Sequence, residues 1–166
     1  MRNGPLVALF AVLLLAAGIF IIGSSGALPE RVASHFDASG FANGYMTRDG
    51  YRIFMLAFGV GLPLLMVALI SGLPRLMPGM INIPNRAYWL APERREKTFV
   101  ILDAFALWLG CMVAATVCGV HWLVIRANSV QPPRLDNILL LGLLGMLFAA
   151  LALWIFLLLR GFRKTS

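Results

Sequence analysis

The sequence predicts an all-α integral membrane protein, a bundle of four transmembrane helices with one compact outer loop between the first two. Three observations carry this. Of the 166 residues, 60% are hydrophobic and only 13% charged, against about 25% charged in soluble domains. A chain this short cannot enclose so much apolar side chain in a water-facing core, whereas lipid solvates it from outside. Finally, four apolar runs are each long enough to cross about 30 Å of hydrocarbon, which takes about 20 helical residues.

The runs are read as helices over residues 5–22, 51–73, 98–125 and 138–159, in a single domain covering 1–166. Helices are the natural choice because lipid satisfies no backbone polar group, and the alternation expected of barrel strands is absent. The first run follows Arg2 and closes on Gly23–Ala27, the outline of a signal peptide; it is read as a retained signal anchor. In the second run Pro63, preceded by Gly59 and Gly61, predicts a kink, either a hinge or a static bend. The third is expected to start with Pro92 in its first turn and Glu93 and Glu96 at the positive end of the dipole. Cys111 and Cys118 lie seven residues apart in that run, about 10.5 Å on a helix and too far for a disulfide, so they read as small packing residues.

The net charge of +7 would point to nucleic acid in a soluble protein. Here the basic residues sit in short loops beside apolar segments, which excludes that reading and makes the lipid bilayer the partner. One side of the membrane receives nine Lys and Arg: Arg2, Arg75, Arg86, Arg94, Arg95, Lys97, Arg160, Arg163 and Lys164. The other receives five: Arg31, Arg48, Arg52, Arg126 and Arg134. The positive-inside rule then places both termini on the cytoplasmic side.

Two loops carry distinctive composition. The outer loop, residues 23–50, holds turn signals at Asp37–Gly40 and Asn43–Gly44, with Val32, Phe36 and Phe41 to pack against; a short hairpin on the membrane surface is expected. Its candidate ligand-binding residues are Arg31, His35, Phe36, Asp37, Asn43, Gly44 and Tyr45. The cytoplasmic loop, residues 74–97, contributes Asn85, Tyr88, Trp89, Arg94 and Arg95. These serve either as interfacial anchors for lipid headgroups or as a shaped loop for a partner.

Within the third run, Asp103 and His121 are 18 residues apart, five turns, and share a face with Gly110 and Ala114. An ionisable group in a span faces protein or water, so this face is the expected helix contact. Asp103 could pair instead with Arg95 or Lys97, and His121 could bond the outer loop. His35, Asp37 and His121 all fall on the outer side, and two imidazoles with a carboxylate are one known zinc ligand set. No other cofactor is indicated.

No phosphate-binding glycine loop, His-Glu-x-x-His, Cys-x-x-Cys or placed serine nucleophile is present, so the catalytic residues are none and a non-enzyme is favoured. Leu28, Pro29, Arg31, His35, Phe36, Asp37, Gly40, Asn43, Gly44 and Tyr45 together resemble the signature of a bacterial membrane domain of unknown function, typified by the amino-terminal part of SdpI-type immunity proteins. The resemblance covers the first two helices and their loop. In the second half the cytoplasmic loop carries Asn85, Tyr88, Trp89, Leu90, Ala91 and Pro92 in place of the Asn-Pro and Gly-Ile-Arg-Thr type loop of those proteins. The resemblance implies a non-enzymatic immunity, sensing or signalling factor that meets an extracytoplasmic peptide. The alternatives are an accessory subunit with a membrane-protein partner or a homo-oligomer, and a small enzyme on a lipid-linked substrate with His35 and Asp37 as acid and base. Transport is weaker still, since Asp103 and His121 are too few polar groups to line a pore.

Overall fold

The computed structural model describes residues 3–163. Arg2 and Lys164, two of the nine basic residues counted on one side, lie outside this range. Helix α1 (Gly4–Ser25) leads into a hairpin of β1 (Arg31–Phe36) and β2 (Ala42–Thr47). Helix α2 (Arg48–Leu56), a π-helical turn (Ala57–Gly61) and α3 (Leu62–Leu76) follow without a break. After a 3-10 turn at Pro78–Met80 and the short α4 (Arg86–Trp89) come the two long helices, α5 (Arg95–Asn128) and α6 (Asn137–Arg163). Among the described residues four helical segments are long and apolar enough to cross a membrane: 4–25, 48–76, 95–128 and 137–163.

The four runs are therefore where composition put them, and each extends past its apolar core into the flanking polar residues. The longest is α5, whose 34 residues rise about 51 Å, well beyond the hydrocarbon. This helix begins three residues after Pro92, which sits in the preceding turn rather than in the first turn of the helix. The amides of Arg94 and Arg95 both reach the Ala91 carbonyl, so the turn ends on its own hydrogen bonds before the helix starts.

Helix α5 is the centre of the bundle and packs against α1, α3 and α6. Ala106, Ala114 and His121 on its inner face are fully buried, with Gly110 between them. The shared face expected from the spacing is thus the helix contact. A β-carbon at Gly110 would lie 2.7 Å from Val67 and 2.8 Å from Phe10, so only hydrogen permits this approach of α1 and α3. Helix α6 packs mainly on α5, with the Trp154 indole donating to the Phe105 carbonyl at 2.9 Å.

Pro63 is buried just after the π turn. Proline cannot donate, and its ring crowds the carbonyl four residues back. The chain answers by widening: the Leu62 amide reaches back five residues to the Ala57 carbonyl. Such π bulges are a recognised way of absorbing a helix irregularity.

Asp103 is held by Arg75 of α3 instead of Arg95 or Lys97. Two parallel bonds join them, Nη1 to Oδ1 at 2.8 Å and Nη2 to Oδ2 at 2.7 Å, and the guanidinium also lies 5.1 Å from the Phe99 ring centre. Asp103 sits two turns inside α5, beyond convenient reach of the helix start, while Arg75 closes α3 alongside it. The pairing neutralises both charges where water is scarce.

Replacing Gly110 with valine should wedge α1 and α3 away from α5. The expected cost is about 1–3 kcal/mol, read as a lower unfolding midpoint of the detergent-solubilised chain; an unchanged midpoint would mean that the contact yields freely.

Candidate functional site

The end of the bundle that carries the hairpin gathers most of the distinctive residues. The loop from 26 to 30 and the sheet lie over a core of Ile21, Leu28, Val32, Tyr51, Met55 and Val124, with Phe36 and Met46 packed at its edge. The strands pair antiparallel, Arg31 with Thr47, Val32 with Met46, Ala33 with Tyr45, His35 with Gly44 and Phe36 with Ala42. The register slips between Ala33 and Phe36, so the ladder carries a bulge. Along β2 the exposure alternates: Asn43, Tyr45 and Thr47 face out while Ala42, Gly44 and Met46 turn in. Thr47 then caps α2, its hydroxyl accepting from the Gly50 amide at 3.2 Å, so strand passes into helix with no linker.

The expected hairpin is present, but its turn spans 37–41 alone. Asp37 builds it: Oδ1 accepts from the amides of Ser39 at 2.8 Å and Phe41 at 3.0 Å. Gly40 adopts φ +84°, and a β-carbon there would meet the Leu135 carbonyl oxygen at 2.5 Å. Asn43–Gly44, expected as a second turn, lies inside β2. One turn suffices to reverse the chain, and Gly44 gives His35 room on the facing strand.

Nor does the hairpin merely rest on the membrane. Asn128, at the end of α5, grips β1 as a neighbouring strand would. Its Oδ1 accepts from the Ala33 amide at 2.8 Å, and its Nδ2 donates to the Ala33 carbonyl at 2.9 Å and to the Val124 carbonyl at 2.9 Å. At the tip, the Leu135 amide donates to the Gly40 carbonyl at 2.8 Å, and Asn137 Nδ2 donates to the Ala38 carbonyl at 2.8 Å. The hairpin is therefore fastened to both long helices.

Beneath it lies a buried polar cluster that joins three helices. His121 of α5 is fully buried, 2.9 Å from Tyr51 Oη through Nδ1 and 2.9 Å from Ser24 Oγ through Nε2. Phe20 meets its ring edge-on at 5.3 Å and Tyr51 stacks at 5.6 Å. The proton positions follow from the network. Ser24 donates its single hydroxyl hydrogen to the Phe20 carbonyl at 2.5 Å, so it accepts from His121 Nε2–H. Nδ1 is then the acceptor for the Tyr51 O–H. The serine proton points away from the imidazole, the reverse of what activation of a nucleophile requires.

His35 stands apart from this cluster. It is exposed on β1, its Nδ1 3.0 Å from the Ser34 hydroxyl. His35, Asp37 and His121 therefore do not converge on a zinc site: His121 has both nitrogens engaged inside the bundle, and Asp37 is committed to the turn. Among the described residues no group of three or more His, Cys, Asp or Glu could hold a metal ion. The hairpin instead exposes Arg31, His35, Asn43 and Tyr45, with His35 on the side of Gly44 and the Arg31 guanidinium 5.3 Å from the Tyr45 ring centre. Phe36 is half-buried and belongs to the core beneath.

At the opposite end, Asn85 and Trp89 are used internally. Asn85, with φ 53°, donates to the carbonyls of Phe162 at 3.3 Å and Arg163 at 3.0 Å; the Trp89 indole donates to Phe162 at 2.8 Å. Together they satisfy the last carbonyls of α6. Tyr88 is covered by Arg94 at 4.1 Å, while Arg95 is exposed. Thr98 ties this loop to α5 by donating to the Trp89 carbonyl at 2.8 Å.

Residues 9–67 match a domain of unknown function (DUF1648). The DUF1648 segment holds most of α1, the hairpin, α2, and α3 as far as Val67. It includes Ser24 and Tyr51 but not His121 or Asn128, the two α5 residues that complete the site. No curated protein and no solved structure gives a significant match to the chain.

Ser24, Tyr51 and Asn128 did not stand out in the sequence. A serine near a helix end and a tyrosine at a span boundary are ordinary there. Asn128 carried one legible signal, its position seven residues, two turns, after His121 on the same face.

Nitrogen NMR of the imidazole should show protonated Nε2 and bare Nδ1. Tyr51→Phe removes the donor to Nδ1 and should cost about 1–3 kcal/mol, read from the unfolding midpoint; the opposite tautomer would refute the assignment.

Proposed function

We propose that this protein is a non-enzymatic factor of the bacterial inner membrane, acting in immunity, sensing or signalling. In this reading the hairpin faces outward and meets a peptide ligand with Arg31, His35, Asn43 and Tyr45. The single observation that carries it is the clamp of Asn128 on Ala33. It ties an exposed recognition surface to the end of a helix that runs the full depth of the bundle. The other end of that helix holds the loop of Asn85 and Trp89 through Thr98. A ligand that shifts the hairpin thereby acts on one rigid element whose far end lies beside the start of α1 and the end of α6, the end this reading assigns to the cytoplasm.

Two further observations support a peptide as ligand. Among the described residues the sheet has two strands, and the outer side of β2 has no neighbouring strand. Such an edge accepts an extended peptide through main-chain hydrogen bonds, with side chains of alternate residues read by exposed groups. The residues of the hairpin also resemble the signature loop of the SdpI-type immunity proteins.

A second reading, an accessory subunit of a larger membrane complex, is favoured by α6. None of its 18-residue apolar window is buried within the chain. A neighbouring protein could cover that surface as readily as lipid.

The test is complementation. A strain without the protein should be more sensitive to a membrane-active peptide, or fail to respond to it. The wild-type chain should restore the phenotype, and Arg31→Ala with Tyr45→Ala should not, at equal levels in the membrane. Full rescue by that double variant would end the first reading, and stoichiometric co-purification of another membrane protein would establish the second. Asn128→Ala should leave the helices protected while amide exchange across β1 accelerates by about tenfold or more, as one buried donor and one acceptor lose their partners.

A further inference from the structure

The end of α5 and the start of α6 enclose a cleft of about 470 Å³, lined by Arg126, Arg134, Ser39, Asp136, Val130 and Ile138 among others. We propose that this cleft binds a phosphate group, for which a phospholipid headgroup and free phosphate are the two available sources.

The argument rests on how the two arginines are held. Arg126 lies 5.0 Å from the centre of the Trp122 ring, one turn further out on α5. Arg134 lies 4.8 Å from the centre of the Phe41 ring at the hairpin tip. A guanidinium over a ring face is fixed in position, yet its N–H donors lie along the edge of the planar group and remain free. Among the described residues neither arginine forms an ion pair with a carboxylate. Two positioned, unpaired forks facing one cleft match the oxygens of a phosphate, which arginine binds in bidentate fashion.

The one carboxylate in the lining is already engaged. Asp136 Oδ1 accepts from the amides of Ile138 and Leu139, both at 3.1 Å, and so caps α6. That cap neutralises the positive helix end and leaves the arginines as the source of attraction. Two cations against one occupied anion keep the cleft electropositive. Ser39 of the hairpin turn completes the polar part of the lining.

Depth favours the same chemistry. With the apolar stretch of α5 centred in the bilayer, Arg126 lies about 22 Å from the midplane, at the level of the headgroups. Trp122 falls about 16 Å out, where indoles concentrate at the boundary. Val130 and Ile138, both exposed, give the cleft an apolar flank suited to the glycerol and upper acyl carbons of a lipid. The site is independent of the hairpin face proposed to meet a peptide.

The full chain in a non-ionic detergent is titrated with phosphatidylglycerol, with diacylglycerol lacking the phosphate, and with inorganic phosphate. Native mass spectrometry counts retained lipid, and thermal shift reads the inorganic ion. Phosphatidylglycerol retained in preference to diacylglycerol, and weakened about tenfold by Arg126→Gln with Arg134→Gln, would support a lipid phosphate as the occupant. Stabilisation of the wild type, but not the double variant, by inorganic phosphate would support the free ion. Arg126→Lys should restore the binding only in part, because an ammonium cannot bind in the two-pronged mode. Where the double variant is not monodisperse, each single glutamine variant carries the same comparison. Equal binding by variant and wild type, or equal retention of diacylglycerol and phosphatidylglycerol, would overturn the proposal.

Discussion

Hydrocarbon offers no hydrogen bonds, and this constraint shapes the molecule throughout. Each polar group that enters the bundle has to find its partner within the chain. Arg75 and Asp103 meet as a two-bonded pair, and the Trp154 indole finds the Phe105 carbonyl. Thr116 and Ser25 turn their hydroxyls back to carbonyls four residues earlier, at 2.8 and 2.5 Å. Pro63 is accommodated by a π turn that regains the hydrogen bond from Leu62. Among the described residues no buried side-chain nitrogen or oxygen lacks a partner.

The same constraint explains the construction of the hairpin end. His121 enters the bundle near its boundary, and Ser24 and Tyr51 from two other helices complete its bonding. Asn128 extends past the hydrocarbon on the same face and bonds a strand edge. Burying β1 against α5 thus leaves neither the Ala33 amide nor its carbonyl unsatisfied. One face of one helix therefore does three successive jobs along its length. Gly110 and Ala114 permit close packing, His121 joins the helices, and Asn128 fastens the sheet. The DUF1648 match stops before all of them, so the matched segment is only part of the packing unit that holds its own hairpin.

Much of the hairpin was visible in advance. Asp37 and Gly40 marked the turn, and Val32 and Phe36 were legible as residues the loop could pack with. The second turn assigned to Asn43–Gly44 was wrong because the same dipeptide also suits a strand when it must make room for a facing side chain. The zinc set of His35, Asp37 and His121 rested on all three lying at one end of the bundle. Sharing an end says nothing about depth, and depth separates His121 inside the bundle from His35 on the surface. In the same way Asn85 and Trp89 were legible as unusual but not as caps for α6, since their partners lie more than 70 residues away.

Composition and hydropathy were enough to read the class of the protein, four apolar helices of spanning length and a structured loop between the first two. Those properties follow from local composition and period, which lipid reads directly. Tertiary packing selected the partners: Arg75 for Asp103, Ser24 and Tyr51 for His121, Ala33 for Asn128, the Phe41 ring for Arg134. Each is a contact between segments remote in the chain, selected by how the helices rotate and slide against one another. Hydropathy carries no information about that rotation, because a leucine facing lipid and a leucine facing protein satisfy the same pattern.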